Sequence, residues 1–354
     1  MNDAKLQVAF GGLHPDRVAT LYERYGPAGV RKRIMSGAIE TTERVRRAVG
    51  VPAGERRAEL TRAGIEVVGK GEEVYPAHLG ELPDAPELLF VRGSLPGLPG
   101  VAIVGTRRCT AYGRRIAGDY GRAVAAAGWV VVSGLARGVD GAAHRGTVAG
   151  GGVGVAVLGS GIDVMYPREH AGLARQLITG GGAVISESPP GTPPEAWRFP
   201  PRNRIISGLA GAVVVVEATV KGGALITAET ALRQGRQVFA VPGDIDRASS
   251  AGCNLLIRDG AFPVLDPDDL IESLQLVLGP APGIASQVAA CDLGDDDARL
   301  VELIRSGADD LDALMGHGLG APGEILAALG RLELNGVLRT DGPGRYAVTH
   351  RVGR

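Results

Sequence analysis

Val101-Ala-Ile-Val-Gly105-Thr106-Arg107-Arg108 is the stretch on which the fold turns. An unbroken apolar run ends in a glycine, a hydroxyl and two cations. A strand that is apolar at every position is buried on both faces, as in a parallel sheet covered by helices. Working outward, the same kind of run recurs at Trp129–Ser133, Val153–Leu158, Ala183–Ser186, Ala212–Glu217, Gln237–Val241 and Phe262–Leu265. Helical patterns separate them at Gly113–Ala127, Val139–Ala149, His170–Thr179, Arg202–Leu209, Ala224–Gln234 and Asn254–Arg258. Strands alternating with helices predict the α/β class: a Rossmann-like, doubly wound, mostly parallel sheet.

The flanks read differently. Residues 1–72 suggest a helical extension, with helices near Arg17–Tyr25, Gly29–Met35, Thr41–Ala48 and Glu55–Ala63 and a short strand at Glu66–Val68. The core is expected over 73–277. Residues 278–294, rich in Gly, Pro, Ala and Ser, read as a linker. Over 295–354, helices are expected at Asp297–Ser306, Asp310–Met315 and Ala321–Asn335, the last with Ile325, Leu326, Leu329 and Leu332 at helical spacing. A hairpin around Asp341-Gly342 follows. Three helices and a hairpin are the order of a C-terminal winged-helix module.

Composition narrows the function classes. The chain has 354 residues, 45% of them apolar, enough for two or three domains with real cores. Cys109, Cys253 and Cys291 are scattered and odd in number, so they form no disulfide framework and no CxxC metal knuckle. The N-terminus lacks a charged start and apolar run, and no stretch is long and apolar enough for a membrane span. A cytoplasmic protein with no membrane insertion is the expectation. Net charge is −1, which on its own argues against a phosphate-binding partner. The distribution is uneven, however. Residues 101–275 carry 17 basic and 15 acidic side chains, whereas 292–354 carry 7 and 11.

Open parallel sheets bind ligands at the carboxyl ends of their strands. Those ends hold Gly105-Thr106-Arg107-Arg108, Ser133-Gly134-Leu-Ala-Arg137-Gly138, Gly159-Ser160-Gly161 and Lys221-Gly222-Gly223. Small residues let backbone N–H groups close on an anion, and the cations neutralise it. No GxxxxGK[ST] is present, and Gly159-x-Gly161 lacks the third glycine of the dinucleotide fingerprint because position 164 is Val. No cofactor is therefore expected. Ser188–Arg204 is a proline-stiffened loop carrying Trp197, Phe199, Arg198, Arg202 and Arg204. Arginine with aromatics suits single-stranded nucleic acid: cations for the backbone, flat faces for the bases. Asp140 and His144 share a helix face but lack a third ligand, so they read as a structural pair and no metal is expected.

These motifs, taken in order, resemble the DprA/Smf (DNA processing protein A) family. The resemblance is carried by Ile103-Val-Gly-Thr-Arg-Arg108, Ser133-Gly-Leu-Ala-Arg-Gly-Val-Asp140, Leu158-Gly-Ser-Gly-Ile-Asp163, Phe199-Pro-Pro-Arg-Asn-Arg-Ile-Ile206, Gly223-Ala-Leu-Ile-Thr-Ala228 and Gly252-Cys-Asn-Leu-Leu-Ile257. It implies a non-enzymatic, cytoplasmic factor that binds single-stranded DNA without sequence specificity during natural transformation. It also implies help in loading the RecA recombinase, displacement of single-strand-binding protein, and a homodimer formed through the Rossmann-like core. The N-terminal helices resemble the family's SAM-like or helix-hairpin-helix extension more weakly. The residues expected to meet DNA are Gly105, Thr106, Arg107, Arg108, Ser133, Gly134, Arg137, Arg202, Arg204, Lys221, Gly222 and Gly223. Two positions depart from the pattern: Thr106 where serine is common, and Ala224 where serine usually follows the second glycine. The acidic C-terminal module points to a protein-contact or regulatory role, with DNA binding only weak.

Two rival readings come from other classes. Lys221-Gly-Gly-Ala-Leu-Ile-Thr-Ala-Glu229 partly overlays the PGGxGTxxE loop of Rossmann-like nucleotide N-glycoside hydrolases, which would make Glu229 catalytic. A duplex-DNA regulator acting through the winged helix is the other.

Overall fold

The computed structural model describes residues 2–281, 295–317, 319–334, 338–340 and 344–348. The chain divides into two compact units, Met1–Val277 and Leu278–Arg354. The first opens with helices α1 (Asp3–Ala9), α2 (Pro15–Met35), α3 (Glu43–Gly50) and α4 (Ala53–Arg62). The Asn2 side chain accepts the backbone N–H of Ala4 and so caps α1, a helix not expected from the sequence. Gly26, at φ 64°, kinks α2 where two separate helices were expected. Val8, Val30, Ile34, Ile39 and Val49 form the buried centre of this helical layer.

A nine-stranded sheet follows. Its strands are β1 (Glu66–Gly69), β2 (Leu88–Gly93), β3 (Gly100–Val104), β4 (Val131–Ser133), β5 (Gly154–Leu158), β6 (Ala183–Ser186), β7 (Ala210–Val215), β8 (Gln237–Ala240) and β9 (Phe262–Pro263). Their spatial order is β1-β2-β6-β5-β4-β3-β7-β8-β9. Every pairing from β6 to β9 is parallel. All residues of β3, β4, β5 and β6 are buried, which is why these strands are apolar on both faces. The sequence alone predicts no strand over Pro86–Gly93. The structure makes Leu88–Gly93 an antiparallel partner of β6, with β1 beyond it.

The helices that cover the sheet are α5 (Ala77–Gly80), α6 (Ala111–Ala126), α7 (Val139–Ala149), α8 (Ala171–Thr179), α9 (Phe199–Gly208), α10 (Gly223–Arg233), α11 (Ala251–Arg258) and α12 (Pro267–Leu278). The last, anchored by buried Leu270 and Leu274, was not expected. From β3 the chain winds outward through β4, β5 and β6, then returns to place β7 on the other side of β3. That reversal opens a crevice at the carboxyl ends of β3 and β7, where doubly wound folds bind their ligands.

The second unit contains α13 (Asp295–Arg305), α14 (Leu311–Met315) and α15 (Pro322–Leu334), with β10 (Leu338–Thr340) antiparallel to β11 (Tyr346–Val348). Leu300, Val301, Ile304, Leu314, Ile325, Leu329, Leu332 and Leu338 close its core. The Asp341-Gly342 turn, Cys291 and the expected linker from residue 282 onward lie outside the described residues. No helix among the described residues is long and apolar enough to cross a membrane.

His144 does not bond Asp140, with which its spacing had paired it. Asp140 instead accepts the backbone N–H groups of Gly134 and Ala136. His144 is fully buried, and desolvation holds its pKa at about 3 against an ordinary 6.5. The folded chain therefore refuses a proton that the unfolded chain accepts below about pH 6.5. Stability should fall as pH drops from there toward about 3. Urea midpoints measured across that range should decline in the wild type and less steeply in His144→Met. Parallel declines would contradict a neutral buried His144.

Candidate nucleic-acid interface

The switch-point crevice is a cavity of about 510 Å³. The loop after β3 supplies Gly105, Thr106 and Arg107, and the start of α10 supplies Gly222, Gly223 and Ala224. Phe199, Pro200, Arg202 and Asn203 come from the start of α9, and Tyr166 closes another side.

Close backbone approach explains the glycines. A Cβ on Gly105 would lie 2.5 Å from Val139 Cγ2. Gly138 has φ +78°, and a Cβ there would lie 2.3 Å from the Thr106 carbonyl oxygen. The loops after β3 and β4 are thus locked together. Leu135 is buried with φ 53°, a left-handed conformation that a branched side chain rarely adopts. Its carbonyl accepts a hydrogen bond from His170 Nδ1 at 2.8 Å. Strain of this kind persists only where the surroundings over-determine it, and such places cluster at functional sites.

Glu217 organises the first loop and was not among the expected site residues. Its buried carboxylate accepts the Thr110 N–H at 2.8 Å and the Thr110 hydroxyl at 2.7 Å. Its carbonyl accepts the Thr106 N–H at 2.7 Å. The Thr110 hydroxyl in turn caps α6 through the Gly113 N–H. A carboxylate ending an apolar strand beside a glycine loop was the available signal.

Arg107 is exposed, with its guanidinium carbon 4.5 Å from the centre of the Phe199 ring. It makes no ion pair with any described residue. Tyr166 packs against the same Phe199 ring at a centroid distance of 5.7 Å. Cation and aromatic faces therefore meet at the mouth of the cavity. At α10 the cap residue is Gly222, which offers no side-chain acceptor; the Leu225 N–H turns back to the Gly222 carbonyl at 3.1 Å, while those of Gly223 and Ala224 receive no side-chain cap and suit an anion.

The remaining expected residues separate. Arg202 is buried beneath the cavity and donates to the carbonyls of Gly134, at 2.9 Å, and Val157. Burial lowers its pKa to about 10, still protonated at neutral pH, and burial raises that of Asp140. Arg202 is thus a cationic floor rather than an accessible contact. A Cβ on Gly134 would lie 2.6 Å from that guanidinium. Ser133 is buried and donates to the Ile103 carbonyl at 2.6 Å, so its hydroxyl is occupied. Arg204 points elsewhere, pairing with Glu187 at 2.7 Å and Asp84 at 3.9 Å beside the N-terminal helices. Lys221 is exposed and does not line this cavity. Arg108 and Arg137 open on an adjoining basic cavity, to which Arg107 also contributes. Of the two loop aromatics, Phe199 faces the site. Trp197 stacks on His14 at 5.3 Å and under Arg198 at 4.1 Å. Glu229 pairs with Arg233 at 2.7 Å on an exposed face of α10 and lines neither cavity. Among the described residues, no cluster of three metal-ligating side chains occurs.

Residues 66–275 match the profile of a family described as DNA recombination-mediator protein A. Protein Smf of Escherichia coli is 40% identical over 293 residues, spanning 81% of this chain and 78% of that protein. DNA processing protein DprA of Bacillus subtilis is 40% identical over 220 residues, 61% of this chain and 74% of that one. The X-ray structure of DprA from Streptococcus pneumoniae superposes with a TM-score of 0.63 at 33% identity, covering 75% of this chain and 95% of that one. The Helicobacter pylori protein, whose structure is described as revealing a single-stranded DNA binding mode, superposes with a TM-score of 0.53 at 26% identity. That match covers 60% of this chain and 96% of the other.

Proposed function

The chain belongs to the DNA recombination-mediator protein A (DprA/Smf) family, and from that premise we propose that it binds single-stranded DNA in the switch-point cavity without chemically altering it. The observation that carries this reading is Arg107 over Phe199 at the mouth of a glycine-walled cavity. A strand bound there presents a phosphate to Arg107 and to the first turn of α10, while an unstacked base lies against Phe199 and Tyr166. Such a site asks for a π-face and a phosphate but reads no base edge, so it is sequence-tolerant. A base must leave its stack to enter, which favours single strands over duplex. Glu229, turned away and paired, gives no support to N-glycoside hydrolysis.

We extend the reading to the family's wider role: help in loading RecA, displacement of single-strand-binding protein, and a homodimer through the Rossmann-like core, in the cytoplasm. The C-terminal unit, read as a winged helix with its acidic excess, serves protein contact. Residues 1–72 are read as an extension to the DNA-binding core.

Fluorescence anisotropy of labelled dT20 and its duplex, over a series of salt concentrations, tests the proposal. Tight single-strand binding that weakens steeply with salt is expected. Equal or better duplex binding would overturn it. Phe199→Ala should weaken dT20 binding about tenfold, in line with roughly 1–3 kcal/mol per stacked base. Its salt slope should stay unchanged because no charge is lost.

A further inference from the structure

Beside the switch-point cavity lies a second one of about 410 Å³, lined by Arg107, Arg108, Arg114, Arg137, Arg145 and Cys109. Its only carboxylate, Glu169, is held in a two-point fork by Arg137 at 2.8 and 2.9 Å. Arg108, Arg114 and Arg145 make no ion pair with any described residue. Arg114 lies in the first turn of α6, whose N-terminus is already served by the buried Glu217 carboxylate, and it lines the cavity with the other arginines. Clustered guanidinium groups repel one another. Folding alone does not call for this arrangement. A bound anion would relieve all of it at once.

We propose that this cavity is a separate phosphate subsite, taking a phosphate group of the strand that occupies the neighbouring cavity. The inference rests on the single-strand reading above and extends it to Arg114 and Arg145, which neither the motifs nor that reading singled out. Arg107 lines both cavities and so joins the two along one path. The ligand chemistry is a phosphate oxygen cluster met by planar donor forks. It has two possible sources: an internal diester of the strand, or a terminal monoester carrying more charge.

The test is anisotropy with the full chain and the Arg114→Ala/Arg145→Ala double variant. Both positions are exposed, so the fold should persist. The probes are dT20 with hydroxyl ends, dT20 with a 5′-phosphate and dT20 with a 3′-phosphate. The double variant should bind at least about tenfold more weakly, with a salt slope reduced by about one per lost contact. A loss equal on all three probes identifies an internal diester. A wild-type preference for one phosphorylated end, abolished in the variant, identifies a terminal monoester. Unchanged affinity and slope on every probe would overturn the subsite, yet leave the single-strand reading standing if Arg107→Ala still weakens binding. No binding of any probe by the wild type would sink both. Alkylation of Cys109 by iodoacetamide, followed by peptide mass spectrometry, reports occupancy independently. Bound dT20 should slow it several-fold in the wild type and not in the double variant. An unchanged wild-type rate would count against the subsite.

Discussion

Replacing Arg107 by alanine should weaken binding of dT20 by about 30- to 100-fold, an expected loss of roughly 2–3 kcal/mol. No other expected DNA contact combines exposure, freedom from a carboxylate and a place on the walls of both cavities. The substitution removes one phosphate contact and the cation held in place by stacking on the Phe199 ring at 4.5 Å. Log affinity plotted against log salt should flatten by about one. Arg204→Ala supplies the contrast. That side chain already has Glu187 and Asp84 for partners and faces the N-terminal helices, so affinity should change by less than about twofold. Equal losses in the two variants would mean that general charge, rather than the cavity, governs binding.

Arg202→Met should chiefly damage the fold. The guanidinium is buried and donates to two carbonyls, Gly134 and Val157, at the carboxyl ends of β4 and β5. It also supplies the favourable charge opposing desolvation of the Asp140 carboxylate. Removing it leaves a buried acid and two buried acceptors without their partner. Breaking such an arrangement costs about 3–5 kcal/mol, and the melting temperature should drop by on the order of 10 °C. Asp140→Asn in the same background should recover part of the loss, because the stranded charge then disappears. A variant that melts like the wild type but binds DNA poorly would reassign Arg202 as a direct contact.

The contrast between Arg202 and Arg204 shows where sequence reading ran out. Both belong to one Arg-Asn-Arg motif, and the motif suggested one role. They lie two apart in α9, and side chains two apart on a helix do not share a face. One therefore reaches the cavity floor and the other reaches Glu187. That separation was legible in the spacing once the helix was assigned. Trp197 and Phe199, also two apart, part company in the same way. The parallel strands were legible because burial on both faces forces unbroken apolar runs. Leu88–Gly93 was less so: its partner β6 lies far along the chain and pairs antiparallel, and only the fold brings them together. Glu217 was overlooked because its task is backbone positioning, which has no fixed spacing. The convergence of Arg114 on α6 and Arg145 on α7 at one cavity depends on tertiary packing and leaves no local trace.

Hydrogen–deuterium exchange of the full chain, with and without saturating dT20, tests the location of binding most directly. Protection is expected in peptides covering 105–114, 134–145, 199–206 and 222–227, with little change over 295–348. Protection confined to 295–348, or absent from the four core segments, would contradict a DNA site at the switch point.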